Sequence, residues 1–200
     1  MPFKAFVPMM AAALLSGCVV PVGPIEVTRF HAPDTAALAR GTITIEAAPG
    51  ADANSLELKS YQSAVAQQLQ RIGYAEAGTG AGGGAGDQVA LVKFTRTRMQ
   101  PERSRSPVSV GLGGSTGSYG SGVGLGIGLN LSGPPPAMVT TQLSVSIRQR
   151  AGGRVLWEGR AMFTVSAKSP LADTALAAPK MAEALFRGFP GNSGETIEVK

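Results

Sequence analysis

The chain has 200 residues, a formal net charge of +5, a sequence pI near 9.7, and a single cysteine and a single histidine. That composition excludes a disulfide framework and any Cys/His zinc spacing, so stability must come from packing alone. The length suffices for one domain with a core of its own, and a charge of +5 is too modest to argue for nucleic acid.

The first residues read as a signal peptide. Lys4 supplies a sparse positive start, and Ala5 to Leu15 form an apolar run too short to span a bilayer as a helix. Leu15-Ser16-Gly17-Cys18 then resembles a bacterial lipobox, with the chain's only cysteine at its end. The resemblance implies removal of residues 1–17, diacylation of the Cys18 thiol and acylation of the new N-terminus. Each buried methylene contributes about 0.8 kcal/mol, and one chain alone anchors marginally, so three make a stable anchor. Val19 follows, where an Asp would imply retention at the inner membrane. The expected location is therefore the periplasmic side of the outer membrane, with residues 18–25 as a Pro-containing tether.

Ile25 to His31 alternates as a strand, Pro33-Asp34 signals a turn, and Thr42 to Ile45 reads as a second, β-branched strand. Leu58, Tyr61, Val65, Leu69 and Ile72 are spaced by three and four, which describes one face of a helix over 56–72. Asn54 or Ser55 caps its start, and Gly73 stands where a C-terminal glycine belongs. Residues 78–86 hold six glycines and form a loop. Within it, Gly80-x-Gly82-x-x-Ala85 echoes a dinucleotide fingerprint, but it follows a helix and leads into a strand, the reverse of the required order.

Strands are expected at Asp87–Arg98, Val139–Arg150 and Arg154–Ser166, the last two joined by a Gly152-Gly153 turn. In the middle one, Leu143, Val145 and Ile147 alternate with Gln142, Ser144, Ser146 and Arg148, placing the first set inward and the second outward. Leu171 to Phe186 is Ala-rich and helical, with Pro179 expected to start a new segment or kink it. Phe189-Pro190-Gly191 ends the fold, 192–200 form a tail, and within it Glu195 to Lys200 add an edge strand or trail. Helices segregated against strands give an α+β class: one domain over 26–191, a largely antiparallel sheet packed by two helices.

Residues 109–133 form a Gly-rich insertion, with ten glycines in 25 positions. Val123, Leu125, Ile127, Leu129 and Leu131 alternate with Gly122, Gly124, Gly126, Gly128 and Asn130, and Val108, Val110 and Leu112 begin a similar pattern upstream, with Tyr119 near the turn. An ordinary loop, or a hairpin extending the domain's sheet, is the first expectation; a protein-contact surface is the second, and membrane insertion the third. Strands of this length span a bilayer, but a lone hairpin leaves its edges unpaired there. Pro134-Pro135-Pro136 closes the segment as a stiff spacer.

Gly73-Tyr74, Asp87-Gln88-Val89-Ala90-Leu91-Val92, Arg154-Val155-Leu156-Trp157-Glu158-Gly159-Arg160-Ala161, Ala184-Leu185-Phe186 and Phe189-Pro190 occur in that order. Together with the lipobox they resemble the DUF4136 family of bacterial lipoproteins. The resemblance implies a single periplasmic domain on a lipid anchor, without established biochemical activity and without catalytic residues to carry over. Read from the residues themselves, Trp157 is a core or sheet-edge aromatic, Gly159 permits a bulge or close packing, Tyr74 packs beside the helix end, and Asp87 caps the loop entering its strand.

Gly113-Gly114-Ser115-Thr116-Gly117 matches a nucleophile-elbow pattern, but it lies in Gly/Ser-rich sequence, and the sole histidine, His31, precedes it. His31 reads as a surface or strand-end residue, and no paired carboxylates present themselves. The expectation is a non-enzymatic binding or structural module of the cell envelope with no cofactor, no metal and no nucleic acid. Its expected contacts are the membrane, through the lipid on Cys18, and an envelope protein. Arg96, Arg98, Arg103 and Arg105 cluster beside the Gly-rich segment. With Tyr119, Val123, Leu125, Ile127 and Leu129 they form the candidate contact surface, although a solvated strand end is the plainer reading of the arginines. The alternatives are an oligomeric assembly or secretion component that uses the hairpin and, more weakly, a lipid or small-ligand carrier.

Overall fold

A computed structural model describes residues 23–77, 86–100, 108–117, 120–129 and 136–200, with 108–117 and 120–129 as backbone. Nine strands and two α-helices are found among them: β1 (Ile25–His31), β2 (Thr42–Ala47), α1 (Leu56–Arg71), β3 (Ala75–Glu76), β4 (Gln88–Met99), β5 (Val108–Gly117), β6 (Gly120–Leu129), β7 (Met138–Gln149), β8 (Val155–Ser166), α2 (Thr174–Phe186) and β9 (Thr196–Val199). Seven strands form one sheet in the order β3-β2-β4-β7-β8-β1-β9. Only the β3–β2 and β2–β4 pairs are parallel; the rest are antiparallel, so the class is α+β. The C-terminal residues do add an edge strand, with Val199 opposite Ile25.

Helix α1 forms where the periodicity places it. Ser55 is the N-cap and its Oγ accepts from the Leu58 N–H at 3.3 Å. At the other end the Tyr74 N–H donates to the Leu69 carbonyl and the Gly73 N–H to that of Gln70, the paired closure of a Schellman motif. Gly73 sits at φ +112°, and a Cβ there would lie 2.9 Å from the Ala39 carbonyl oxygen. Leu58, Tyr61, Ala64, Val65 and Leu69 face the sheet and are buried.

Pro179 neither starts a segment nor ends one: α2 runs continuously across it, and the interruption falls at Asp173, after a short 3-10 turn over Pro170–Ala172. Asp173 caps α2 by accepting from the Ala175 N–H at 2.8 Å. Proline is tolerated because Ala175 and Pro179 both lie on the exposed side, which leaves the unpaired Ala175 carbonyl to water.

Both helices lie on one face of the sheet. In β7, Val139, Thr141, Leu143, Val145 and Ile147 point beneath them and are buried, while the alternate residues are half-buried. In β8 a bulge opposite Ile147 and Arg148 puts both Leu156 and Trp157 inward. Trp157 is fully buried, stacked on Phe186 at 5.3 Å and tilted against Phe189 at 5.2 Å, and its indole N–H donates to the Pro190 carbonyl at 3.0 Å. Gly159 makes room for it: a Cβ there would come within 2.3 Å of the indole ring and 2.8 Å of Leu185.

β5 and β6 are not an extension of this sheet. They pair only with each other, from Val108 opposite Leu129 to Gly117 opposite Gly120, and no other described element lies along them. The expectation that the hairpin widens the domain's sheet is therefore corrected. The chain leaves the sheet from β4, makes this separate ribbon, and re-enters at β7.

Candidate contact surfaces

Among the described residues no helix covers the face of the sheet opposite α1 and α2. Its cross-strand rows can be read from the register: Lys93, Ser144, Arg160, Thr28 and Thr196 form one, and Leu91, Ser146, Glu158 and Phe30 the next. Hydroxyls tie neighbouring strands, with Thr28 and Thr196 at 2.8 Å, Thr140 and Thr164 at 2.8 Å, and the Ser146 hydroxyl donating to Glu158 at 3.2 Å. Arg148 Nε donates to the Ser146 hydroxyl at 3.2 Å. Around these lies a shallow depression of about 200 Å³ lined by Lys93, Arg148, Arg160, Glu158 and Phe30. Phe30 is 49% exposed there, an aromatic that the core does not use. This face can contact a partner through hydroxyls and mixed charge. Among the described residues no cluster of three or more His, Cys, Asp or Glu side chains could hold a metal.

Of the four arginines expected in a contact cluster, Arg96 and Arg98 lie among the described residues, both exposed on β4. Arg96 is an internal brace: its guanidinium meets Glu57 of α1 at 2.6 Å and donates to the Thr174 hydroxyl of α2 at 2.8 Å, while that hydroxyl also bonds Glu57. Arg98 is exposed near the end of β4. Arg103, Arg105, Tyr119 and the lipidation candidate Cys18 lie outside the described residues. Val123, Leu125, Ile127 and Leu129 occupy alternate positions of β6, opposite Gly114, Leu112, Val110 and Val108.

Next to the brace, the Tyr61 ring stacks on Phe94 at 4.9 Å, and its buried hydroxyl finds no hydrogen-bond partner among the described residues. Burial pushes this phenol above its ordinary pKa, against the opposing pull of Arg96. Burial also raises Tyr74, whose hydroxyl donates to Gln88 Oε1 at 3.3 Å. Gln88 in turn donates to the carbonyls of Ala37 and Arg40, holding the loop before β2.

Arg29 is a structural residue that sequence inspection missed. It is 5% exposed, and its guanidinium donates to the last carbonyls of α2, Leu185 at 3.0 Å and Ala184 at 3.2 Å. A cation there answers the negative end of the helix dipole. Desolvation lowers its pKa, an effect partly offset by Glu195. His31 stands at the end of β1 as expected, its Nδ1 2.8 Å from the Ala32 carbonyl oxygen and its backbone N–H donating to Ser193.

The described residues form an α+β domain with helices on one face of the sheet and one separate ribbon. The chain belongs to the family described as a domain of unknown function, DUF4136, whose model matches residues 30–191. A 62-residue stretch is 36% identical to an uncharacterised protein of Zymomonas mobilis, covering 31% of this chain and 23% of that relative. Among solved structures, a PDZ domain protein from Parabacteroides distasonis is similar with a TM-score of 0.48 and 13% identity, over 88% of this chain and 39% of that one. A PelC dodecamer from Paraburkholderia phytofirmans is similar with a TM-score of 0.44 and 15% identity, over 84% of this chain and 99% of that one.

Proposed function

We propose that the protein is a lipid-anchored module of the bacterial cell envelope, facing the periplasm from the outer membrane and acting by contact, not by catalysis. The observation that carries this is Leu15-Ser16-Gly17-Cys18, the lipobox-like end of an apolar leader. The sheet face opposite the helices supports the contact role, because Lys93, Arg148, Arg160, Glu158 and Phe30 converge there without the nucleophile–base pairing a catalytic site needs. A carrier role has less support: the gap between α2 and the sheet, lined by Ile25, Phe163, Leu171, Ala177, Lys180 and Met181, leaves no space even for a water molecule. Palmitate labelling of the expressed chain, followed by density separation of the membranes, tests the reading. The label and the protein should travel with the outer membrane, and Cys18→Ala should lose both. Label that survives Cys18→Ala, or wild-type protein that stays soluble, overturns it.

The second reading, an oligomeric assembly component, is favoured by one observation: β5 and β6 stand apart from the domain's own sheet.

A further inference from the structure

The β5–β6 ribbon sorts its residues by face more completely than the sequence alone reveals. The register puts Val108, Val110 and Leu112 opposite Leu129, Ile127 and Leu125 on one face, which continues toward the turn with Gly114 opposite Val123 and Thr116 opposite Ser121. The alternate positions are Ser109, Gly111, Gly113, Ser115 and Gly117 opposite Gly128, Gly126, Gly124, Gly122 and Gly120. Every one of those is glycine or serine. No charged residue or histidine occurs anywhere from Ser106 to Ile147. The ribbon therefore offers a largely aliphatic side, a bare side and two edges whose backbone groups pair with no described strand.

Water is a poor environment for such an element. An isolated two-stranded hairpin is marginally stable at best in water, and glycine weakens a strand interior further. A bilayer suits it better. Each strand has ten residues. At about 3.3 Å per residue and a tilt near 40°, ten residues rise about 25 Å, the height of the apolar band of a membrane barrel. The ribbon's edges then demand partners, because hydrocarbon satisfies no backbone group. A second copy of the chain supplies a matching edge in the same orientation.

We infer that the ribbons of several copies join edge to edge into a closed β-barrel in the membrane, with the aliphatic positions toward lipid and the Gly/Ser positions toward the lumen. Each copy contributes two strands, so the smallest barrel, of about eight strands, takes about four copies. Side chains normally fill an eight-stranded interior. Here the inward positions carry almost none, and the lumen stays open to water. The inference rests on the lipid-anchored reading, which brings every copy to one membrane surface.

The test is a scan of single cysteines in the full acylated chain: Val123→Cys, Gly124→Cys, Leu125→Cys, Gly126→Cys and Ile127→Cys, each with an environment-sensitive fluorophore. With Cys18 acylated, the introduced thiol is the one that labels. The protein is reconstituted into vesicles of phosphatidylethanolamine and phosphatidylglycerol, and quenching by aqueous iodide is compared with quenching by lipid-borne nitroxide. Positions 123, 125 and 127 should favour the lipid quencher severalfold, and positions 124 and 126 the aqueous one. Val110→Cys and Gly111→Cys should repeat the contrast on β5, which guards against one misfolded variant. Aqueous accessibility at every position, on protein that carries the palmitate label, overturns the barrel and leaves the anchor standing. Loss of the label itself strikes the anchored reading, and period-two quenching would still uphold the ribbon in lipid.

Discussion

Two hairpins in this molecule share a pattern and meet different fates. β7 and β8 alternate apolar with polar residues, and their apolar side lies under α1 and α2, sealed by Trp157, Phe186 and Phe189. β5 and β6 also alternate, but the positions between their aliphatic residues hold glycine or serine, and no described helix crosses them. In the first hairpin the outward residues make hydroxyl and charge contacts with their neighbours on the sheet. In the second the alternate face offers almost nothing. Period-two patterning specifies a strand with two distinct sides; only the chemistry of the second side tells whether the first belongs to the protein core.

The contrast can be broken most forcefully at the covered hairpin. Trp157→Ala should cost about 3–5 kcal/mol in denaturant unfolding, since it removes a fully buried indole and leaves a cavity beside Phe186. Arg29→Ala should cost about 2–3 kcal/mol, because two carbonyls at the end of α2 lose their donor. A smaller effect comes from Tyr61 and Tyr74. Folding raises both phenols above their ordinary value of 10.0, so they hold their protons when the unfolded chain loses them. Stability should be insensitive to these groups below about pH 10 and should fall as pH rises beyond it, as a pH series of unfolding curves would reveal. Deletion of 109–133 should change the unfolding free energy of the domain least, by less than about 0.5 kcal/mol, because no described element packs along the ribbon. A large loss on deletion would mean that the ribbon is part of the core after all.

Much of the covered layer was legible in sequence because its signals are local. The spacing of Leu58, Tyr61, Val65 and Leu69, with Ser55 before and Gly73 after, defines α1 almost to the residue. The outward set Gln142, Ser144, Ser146 and Arg148 was equally plain. What stayed hidden depends on strand order. Lys93, Glu158 and Arg160 join that set only because β4, β7 and β8 are neighbours. Arg29 looks like one more alternating strand residue, and its partners Ala184 and Leu185 stand 155 and 156 positions away. Arg96 resembled a free cation because nothing in its own strand announces Glu57. Pro179 starts no new segment for a different reason: a helix-interior proline is costly, but less so where the freed carbonyl faces solvent. The ribbon's alternation was visible, and its separation from the main sheet was not, since the same pattern serves both outcomes.

The insertion leaves the sheet after Met99 and returns at Met138, and these two residues are direct cross-strand partners. The excursion between them therefore begins and ends at one point in space. Lengthening such a loop costs only about 0.6 kcal/mol per doubling. A position of this kind works as a socket: what is plugged into it can be exchanged without renegotiating the strand order around it. The scaffold can then be inherited as a unit while the segment carried between Met99 and Met138 is free to change.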